Sequence, residues 1–474
     1  MTAPASITPP SITEDAFRAF RLRIKGEVFV PTDDQYDDAR AIHNLRFDRH
    51  PAIIVRVADA ADVSRAIRFA RHQGIALSVR SGGHSLPGHS IVEGGLVIDM
   101  TALDGIRIDA DARVAWVQPG ASTGRVADEA QAFGLAIPFG DAGTVGVGGI
   151  TLGGGIGFLA RKHGLTIDHV TGVEMVTAQG QIVHASLTEN PELFWGLRGG
   201  GGNFGVVTGF QFELVEVGMI LGGLLAFPAT PEVIRRYAEV SLQAPDELTT
   251  ITMAMKAPPL PFVPAEAVGQ PVLAAFVCYA GADFAEGQRA VDALRAIATP
   301  VVDMIQPMPY SAIYQLTADT APAARGHIRS AFVPAINADL ATIIAEHIAI
   351  APPPMGGIQI RPLGGEMARV DPSATAFAHR DANFLVAVIG QWEDASTDGV
   401  HDSWVEKAWE AISPYRHGVY VNFLGDEGKA RIAEAYPGHT TERLALLKRG
   451  YDPENVFRGN QNIEPMAQAP AQAA

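Results

Sequence analysis

Three glycine clusters constrain this chain more than any other feature: RSGGHS at 80–85, GTVGVGGITLGGGIG at 143–157 and LRGGGGNFGVV at 197–207. Each lies where a strand-like or helix-like run gives way to a turn. Glycine admits positive φ and lets backbone N–H groups approach a ligand with no Cβ in the way. Successive N–H groups of this kind form a concave nest for phosphate oxygens. Tight turns explain one such cluster; three in succession point to a large phosphate-bearing cofactor. Gly146, Gly148 and Gly149 do not fit GxGxxG, and no acidic residue closes a following strand, which argues against a nicotinamide-type site. The GxxxxGK[ST] pattern is absent as well.

Around the clusters, residues 50–215 alternate short β-branched runs (AIIVRV, ALSVR, LVIDM, RVAWVQP, VEMVTA, QIVHAS, GVVTGFQFELV) with helical patterns (DVSRAIRFARHQG, STGRVADEAQAFG, GIGFLARKHG, PELFWGLRG). The helix at 62–74 repeats Val63, Ile67 and Ala70 and ends on Gly74, a good residue just past a helix. SITEDAFRAFRLRI predicts a first helix capped by Ser11 or Thr13. From 218 to 425 the strands lengthen (TTITMAMKA, PVLAAFVCYA, GIQIRPL, NFLVAVIGQW) and alternate with helices such as PEVIRRYAEVSLQ. That pattern predicts a separate α+β unit, a sheet with helices on one face. TERLALLKRG predicts a helix stopped at Gly450, with Pro453 following. Residues 1–12 and 466–474 are predicted to be disordered tails.

Composition narrows the partners. The net charge of −16 comes with no basic run, which argues against nucleic acid and anionic membrane. Cys278, the single cysteine, lies in the apolar run VLAAFVCYA and reads as a small buried hydrophobe, so disulfides and thiolate zinc sites are excluded. His84 and His89 have no third ligand nearby, so no metal is expected. His163 ends a helical run and is read as serving the carbonyls there. No basic segment followed by an apolar core marks the N-terminal residues, and no run approaches the ~20 apolar residues of a membrane span. A cytoplasmic monomer or homodimer is the expectation.

VRSGGHS, followed in order by LVIDMTALDGI, VQPGA, GTVGVGGITLGGGIGFLARKHGLTIDHV, ELFWGLRGGGGNFGVVT and YDPENVFRGNQNIEP, resembles the FAD-linked oxidases of the berberine-bridge-enzyme type, members of the vanillyl-alcohol oxidase superfamily. The resemblance implies an α+β fold: a two-part PCMH-type FAD-binding domain of two small α/β subdomains, and an inserted α+β substrate domain whose antiparallel sheet is covered by helices. The implied boundaries are 13–217 for the FAD domain (core 47–217), 218–425 for the substrate domain and 426–465 for the return to the FAD domain. It implies FAD, bonded covalently from His84 to the 8α-methyl, with Arg80, Ser81, Gly82, Gly83 and Ser85 around the pyrophosphate. Gly143, Thr144, Val145, Gly148, Gly149, Gly153, Gly154, Gly157, Gly205, Val207, Asn460 and Asn462 are the further cofactor contacts it implies. Many relatives add a cysteinyl link two residues before the Thr-Val-Gly segment; Ala142 stands there, so a single tether is expected.

The resemblance also frames the chemistry. Flavin oxidation needs hydride delivery and, for most substrates, a base that removes a proton from O–H or N–H. Plant-type relatives place a catalytic tyrosinate last in a Tyr-x-Asn-Tyr pattern; this chain has Tyr420-Val421-Asn422-Phe423, and Phe423 takes no proton. Tyr420 is a replacement whose direction, read as a strand, stays open. Tyr310 and Tyr314 would share a helix face; Glu366 and Gln391 lie on or near strands expected to line the pocket. A neutral amine needs no strong base. Val145 occupies the position that gates oxygen and favours an oxidase producing hydrogen peroxide from O2. The substrate is a small organic molecule: an alcohol, a lactol, a cyclic amine or a natural-product intermediate. Alternatives are a flavin oxygenase acting on a polyketide-like substrate, and a flavin-binding protein without turnover.

Overall fold

The computed structural model describes residues 12–316 and 323–467, so the two expected tails lie almost wholly outside it. Three larger sheets organise these residues. In the first, Leu96–Asp99 runs parallel to both Ile53–Arg56 and Leu77–Arg80, and Glu27–Phe29 adds an antiparallel edge. The helix Ala60–Gln73 makes the crossover. Asp59 caps it through the Asp62 N–H, Gly74 closes it in the left-handed region, and Val63, Ala66, Ile67 and Ala70 bury its inner face. Thr13 caps the preceding helix, Glu14–Arg21.

The second sheet is antiparallel, in the order Ile106–Asp109, Val114–Val117, Gly205–Glu213, Val170–Thr177, Ile182–Ala185. Two local expectations change near it. The run GIGFLARKHG is helical only over Ala160–His163, because Gly154 and Gly155 sit at φ +136° and +79° and turn the chain before it. Inside the second glycine cluster, Val147–Gly153 is a short helix that glycine content had hidden.

The third sheet carries seven antiparallel strands in the order Val302–Asp303, Met219–Pro228, Pro271–Tyr279, Leu248–Lys256, Met355–Pro362, Phe384–Trp392, Arg325–Val333, with Gln306–Pro309 also paired to Met219–Pro228. Helices Pro231–Gln243, Phe284–Arg295, Ala338–Ala349 and Asp398–Ile412 cover one face and share one core with it. Strand alternation then matters for the site. Ile358 and Ile360 enter that core, so Gln359 and Arg361 point from the opposite face.

The chain finally returns to the second sheet through the helix His439–Tyr451, which runs through Gly450 and does not stop there. Leu444 packs with Leu193, Trp195 and Phe204. Lys448, fully buried, donates to the Asn203 carbonyl, the Phe457 carbonyl and Asp452, each at 2.7–2.8 Å. Cys278 is buried as expected, and burial pushes its thiol up to about 12. Among the described residues, no helix is long and apolar enough to cross a membrane, and no group of three metal-ligating side chains forms.

Candidate active site

The glycine clusters meet around one cavity of about 450 Å³. The first and second press back to back. A Cβ on Gly82 would stand 2.4 Å from the Gly146 nitrogen, and one on Gly146 would stand 2.3 Å from the Gly82 nitrogen. Only glycine at both positions permits that approach. Ser81, Gly82, Gly83, His84 and Ser85 line one side. Val145, Gly148 and Gly149 line another, and Gly205, Val207 and Asn460 a third.

Several expected contacts stand behind this wall. Arg80 is buried with its guanidinium on Asp99 (2.6 Å) and the Ala41 carbonyl (3.0 Å), so it supports the loop and does not face the cavity. Burial raises the Asp99 pKa, yet the Arg80 charge and hydrogen bonds outweigh it and hold the carboxyl below the usual range. Gly143 packs on Gly124, and Thr144 points to solvent. Gly153, Gly154 and Gly157 make room for Asn422, for Phe377 and Tyr420, and for the Phe139 carbonyl. Asn462 is also off the wall, with its Oδ1 buried and without a partner in the chain.

The cavity fits a polar, phosphate-bearing ligand. Ser78 Oγ, Ser90 Oγ and Asn460 Oδ1 are buried on its wall with no partner in the chain. Leaving such groups unmade costs about 1–3 kcal/mol each. A bare-glycine cradle supplies backbone N–H groups beside them. His89 also lines the cavity, and burial lowers its pKa to about 4, so its ring is neutral at pH 7.

On the side of the large sheet the wall is formed by Arg361, Asp141 and the turn Val421–Phe423. The Arg361 guanidinium donates to Asp141 (2.9 Å), Gln359 (2.7 Å) and the Ile156 carbonyl (3.0 Å), and lies 4.8 Å from the Phe423 ring centroid. Asn422 donates to the Ile150 carbonyl at 3.1 Å and to the Tyr420 hydroxyl at 2.8 Å.

Residues 51–186 match the FAD binding domain family, and residues 419–464 match the berberine and berberine-like family. Over 461 residues the chain is 34% identical to (R)-6-hydroxynicotine oxidase of Paenarthrobacter nicotinovorans, a match that covers 94% of this chain and 98% of that protein. The chain is a berberine-bridge-enzyme-like FAD-linked oxidase. It is also 29% identical to chitooligosaccharide oxidase of Gibberella zeae, over 92% of this chain and 93% of that one. The crystal structure of 6-hydroxy-D-nicotine oxidase from Arthrobacter nicotinovorans matches it with a TM-score of 0.85 at 29% identity, over 94% of this chain and 99% of that one.

In this berberine-bridge-enzyme-like oxidase the five side chains expected to take part in catalysis all lie off the cavity wall. The segment at 418–428 is not a strand; Val421–Phe423 is a 3-10 turn, so strand alternation does not place Tyr420. Tyr420 is 1% exposed, and its hydroxyl accepts the Gly155 N–H at 2.8 Å as well as the Asn422 amide. Burial raises its pKa, the opposite of what a proton acceptor needs. Tyr310 and Tyr314 do share a face, with hydroxyls 3.2 Å apart, but in a sealed apolar cluster where burial raises both pKa values. Glu366 is 42% exposed and pairs with Arg369. Gln391 sits at the far end of its strand, opposite Met355 and Gly326, whereas Arg361 pairs with Leu385.

Asp141, Arg361 and Asn422 are among the polar wall residues that the sequence did not single out, as are Ser78 and Ser90. Alternation in GIQIRP signals Arg361, because its neighbours Ile358 and Ile360 claim the helix-covered face. Asp141 carries no local signal; Arg361 reaches it from a distant strand.

Proposed function

We propose that this FAD-linked oxidase takes a hydride and a proton from a small organic substrate, a cyclic amine above an alcohol or a lactol, with O2 as acceptor and H2O2 as product. The observation that carries this is the wall made by Arg361, Asp141 and Phe423: a fixed ion pair beside a flat apolar ring. The guanidinium is held on three sides, so it does not swing. It orients the Asp141 carboxylate toward the cavity as the acceptor for a substrate proton. The Phe423 ring offers an apolar face for the substrate body, and its lack of a hydroxyl suits a substrate that needs no tyrosinate.

Bound FAD supplies the hydride acceptor. His84 is its single covalent tether in this proposal, since Ala142 has no sulfur to add a second. Ser81, Gly82 and Gly83 hold the pyrophosphate, and Asn460 hydrogen-bonds the bound cofactor. Val145, on the wall, leaves a small gap for oxygen.

The test is anaerobic bleaching of the flavin across cyclic amines, alcohols, oligosaccharides and phenols, followed by air and a peroxide assay. Bleaching by a cyclic amine and stoichiometric peroxide support the proposal. Bleaching by oligosaccharides alone replaces the substrate class. Oxygen incorporated into product, without peroxide, replaces the oxidase with an oxygenase.

A further inference from the structure

The segment 41–45 lies against the RSGGHS loop and grips it along its length. The Ala41 carbonyl accepts Arg80 Nη1 at 3.0 Å, the His43 N–H donates to the Gly83 carbonyl at 3.2 Å, and Asn44 Nδ2 donates to the Leu86 carbonyl at 3.0 Å. A further contact is ring on ring. The His43 imidazole stacks on the His84 imidazole, with centroids 4.3 Å apart and planes 22° apart.

The same segment is anchored elsewhere, so its position does not depend on His84. Asn44 exchanges hydrogen bonds of 3.1 Å with Gly326 in both directions, and the Leu45 N–H donates to the Ala324 carbonyl at 3.1 Å. His84 follows Gly83, which sits at φ +74°, on a loop without regular structure. A side chain there can sit in more than one staggered rotamer. The flat His43 ring, fixed alongside, favours orientations of the His84 ring parallel to it.

We propose that His43 is a positioning residue for the covalent attachment of FAD, holding the His84 ring in the plane from which a ring nitrogen reaches the 8α carbon. This rests on the His84 tether proposed above. In the attachment, a C–N bond forms, one C–H of the 8α-methyl and one N–H of His84 are lost, and O2 takes both electrons and both protons as hydrogen peroxide. Misplacement by an ångström costs such a step heavily even when binding is intact.

The test uses the full-length chain made under riboflavin limitation, incubated with FAD in air and precipitated with acid at intervals. Flavin in the pellet is attached; flavin in the supernatant is only bound. His43→Leu is expected to slow attachment at least about tenfold with total flavin per chain unchanged, while His43→Phe, which keeps a flat ring, stays within about threefold of the parent. Should His43→Leu take up less total FAD, His43→Gln is measured in its place. Attachment at the parent rate in the variants lacking a ring overturns the proposal, as does a His43→Phe variant as slow as they are. His84→Ala must leave all colour in the supernatant. A coloured His84→Ala pellet sinks the tether and this proposal together, whereas a colourless one beside unslowed His43 variants overturns only the role of His43.

Discussion

Arg361 Nη2 lies 2.9 Å from Asp141 Oδ2, across the junction between the large sheet and the second glycine cluster. The arginine is 3% exposed and the aspartate 20%. A pair this buried gains little net stability over apolar packing, but breaking it from one side is costly. Its value lies in fixing where a carboxylate points.

Asp141→Asn therefore removes the proposed proton acceptor with little change in shape. The expected outcome is a fall in substrate-dependent flavin reduction of about 100-fold or more, measured by anaerobic stopped flow, with flavin content unchanged. An unchanged reduction rate would remove Asp141 from the chemistry.

Tyr420→Phe separates chemistry from structure. The Gly155 N–H and the Asn422 amide lose their acceptor, a stability loss of about 1–3 kcal/mol in urea denaturation. Flavin reduction in the folded variant is expected to stay within about threefold of the parent. A hundredfold loss of reduction would return Tyr420 to the active site.

Gly82→Ala and Gly146→Ala each place a methyl group within 2.4 Å of the other strand of backbone. The clusters must then part. Both variants are expected to purify with at least about tenfold less flavin per chain, judged by the ratio of flavin to protein absorbance.

Lys448 binds Asp452 and two carbonyls while fully buried, and so ties the returning helix to the loop carrying Asn203. Lys448→Met leaves the buried Asp452 carboxylate without its counter-ion, held only by the Val456 and Phe457 N–H groups, which costs about 3–5 kcal/mol. Denaturant titration reads the loss. Lys448→Met with Asp452→Leu is expected to recover part of it.

His163 gives stability a pH dependence. Burial lowers its folded-state pKa to about 4, and its Nε2 is buried with no partner. The unfolded chain, with a pKa near 6.5, takes up the proton first. Its contribution is therefore full above pH ~6.5 and is lost as pH falls from 6.5 to 4, by on the order of 2–3 kcal/mol. His163→Gln should flatten the denaturation profile in that window; an unchanged slope assigns the dependence to other groups.

Most of the frame is legible locally. The Ala60–Gln73 helix, with Asp59 before it and Gly74 after it, is written in adjacent residues, and so are the strands that alternate around Ile358 and Ile360. Glycines crowded at 80–85, 143–157 and 197–207 mark a phosphate site because few other uses need so many bare backbones together. Local pattern misleads where the partner is distant. The motif points to Tyr420 as a base, yet its hydroxyl is taken by Gly155 and Asn422. The glycine pattern marks Gly153 and Gly157 as cofactor glycines, whereas in the fold they admit Asn422 and the Phe139 carbonyl. Strand membership brings Glu366 and Gln391 near the pocket in sequence, but it says nothing about which end of a strand faces it.

By itself, then, the sequence determined the cofactor class, the family and the elements, because these depend on contiguous spacing, caps and backbone freedom. Which side chains reach the cavity was decided only by the tertiary structure. Arg361 meets Asp141, and His43 meets His84, only after separate elements close on one another. Such contacts depend on how whole sheets and straps pack, and no short stretch of sequence records that.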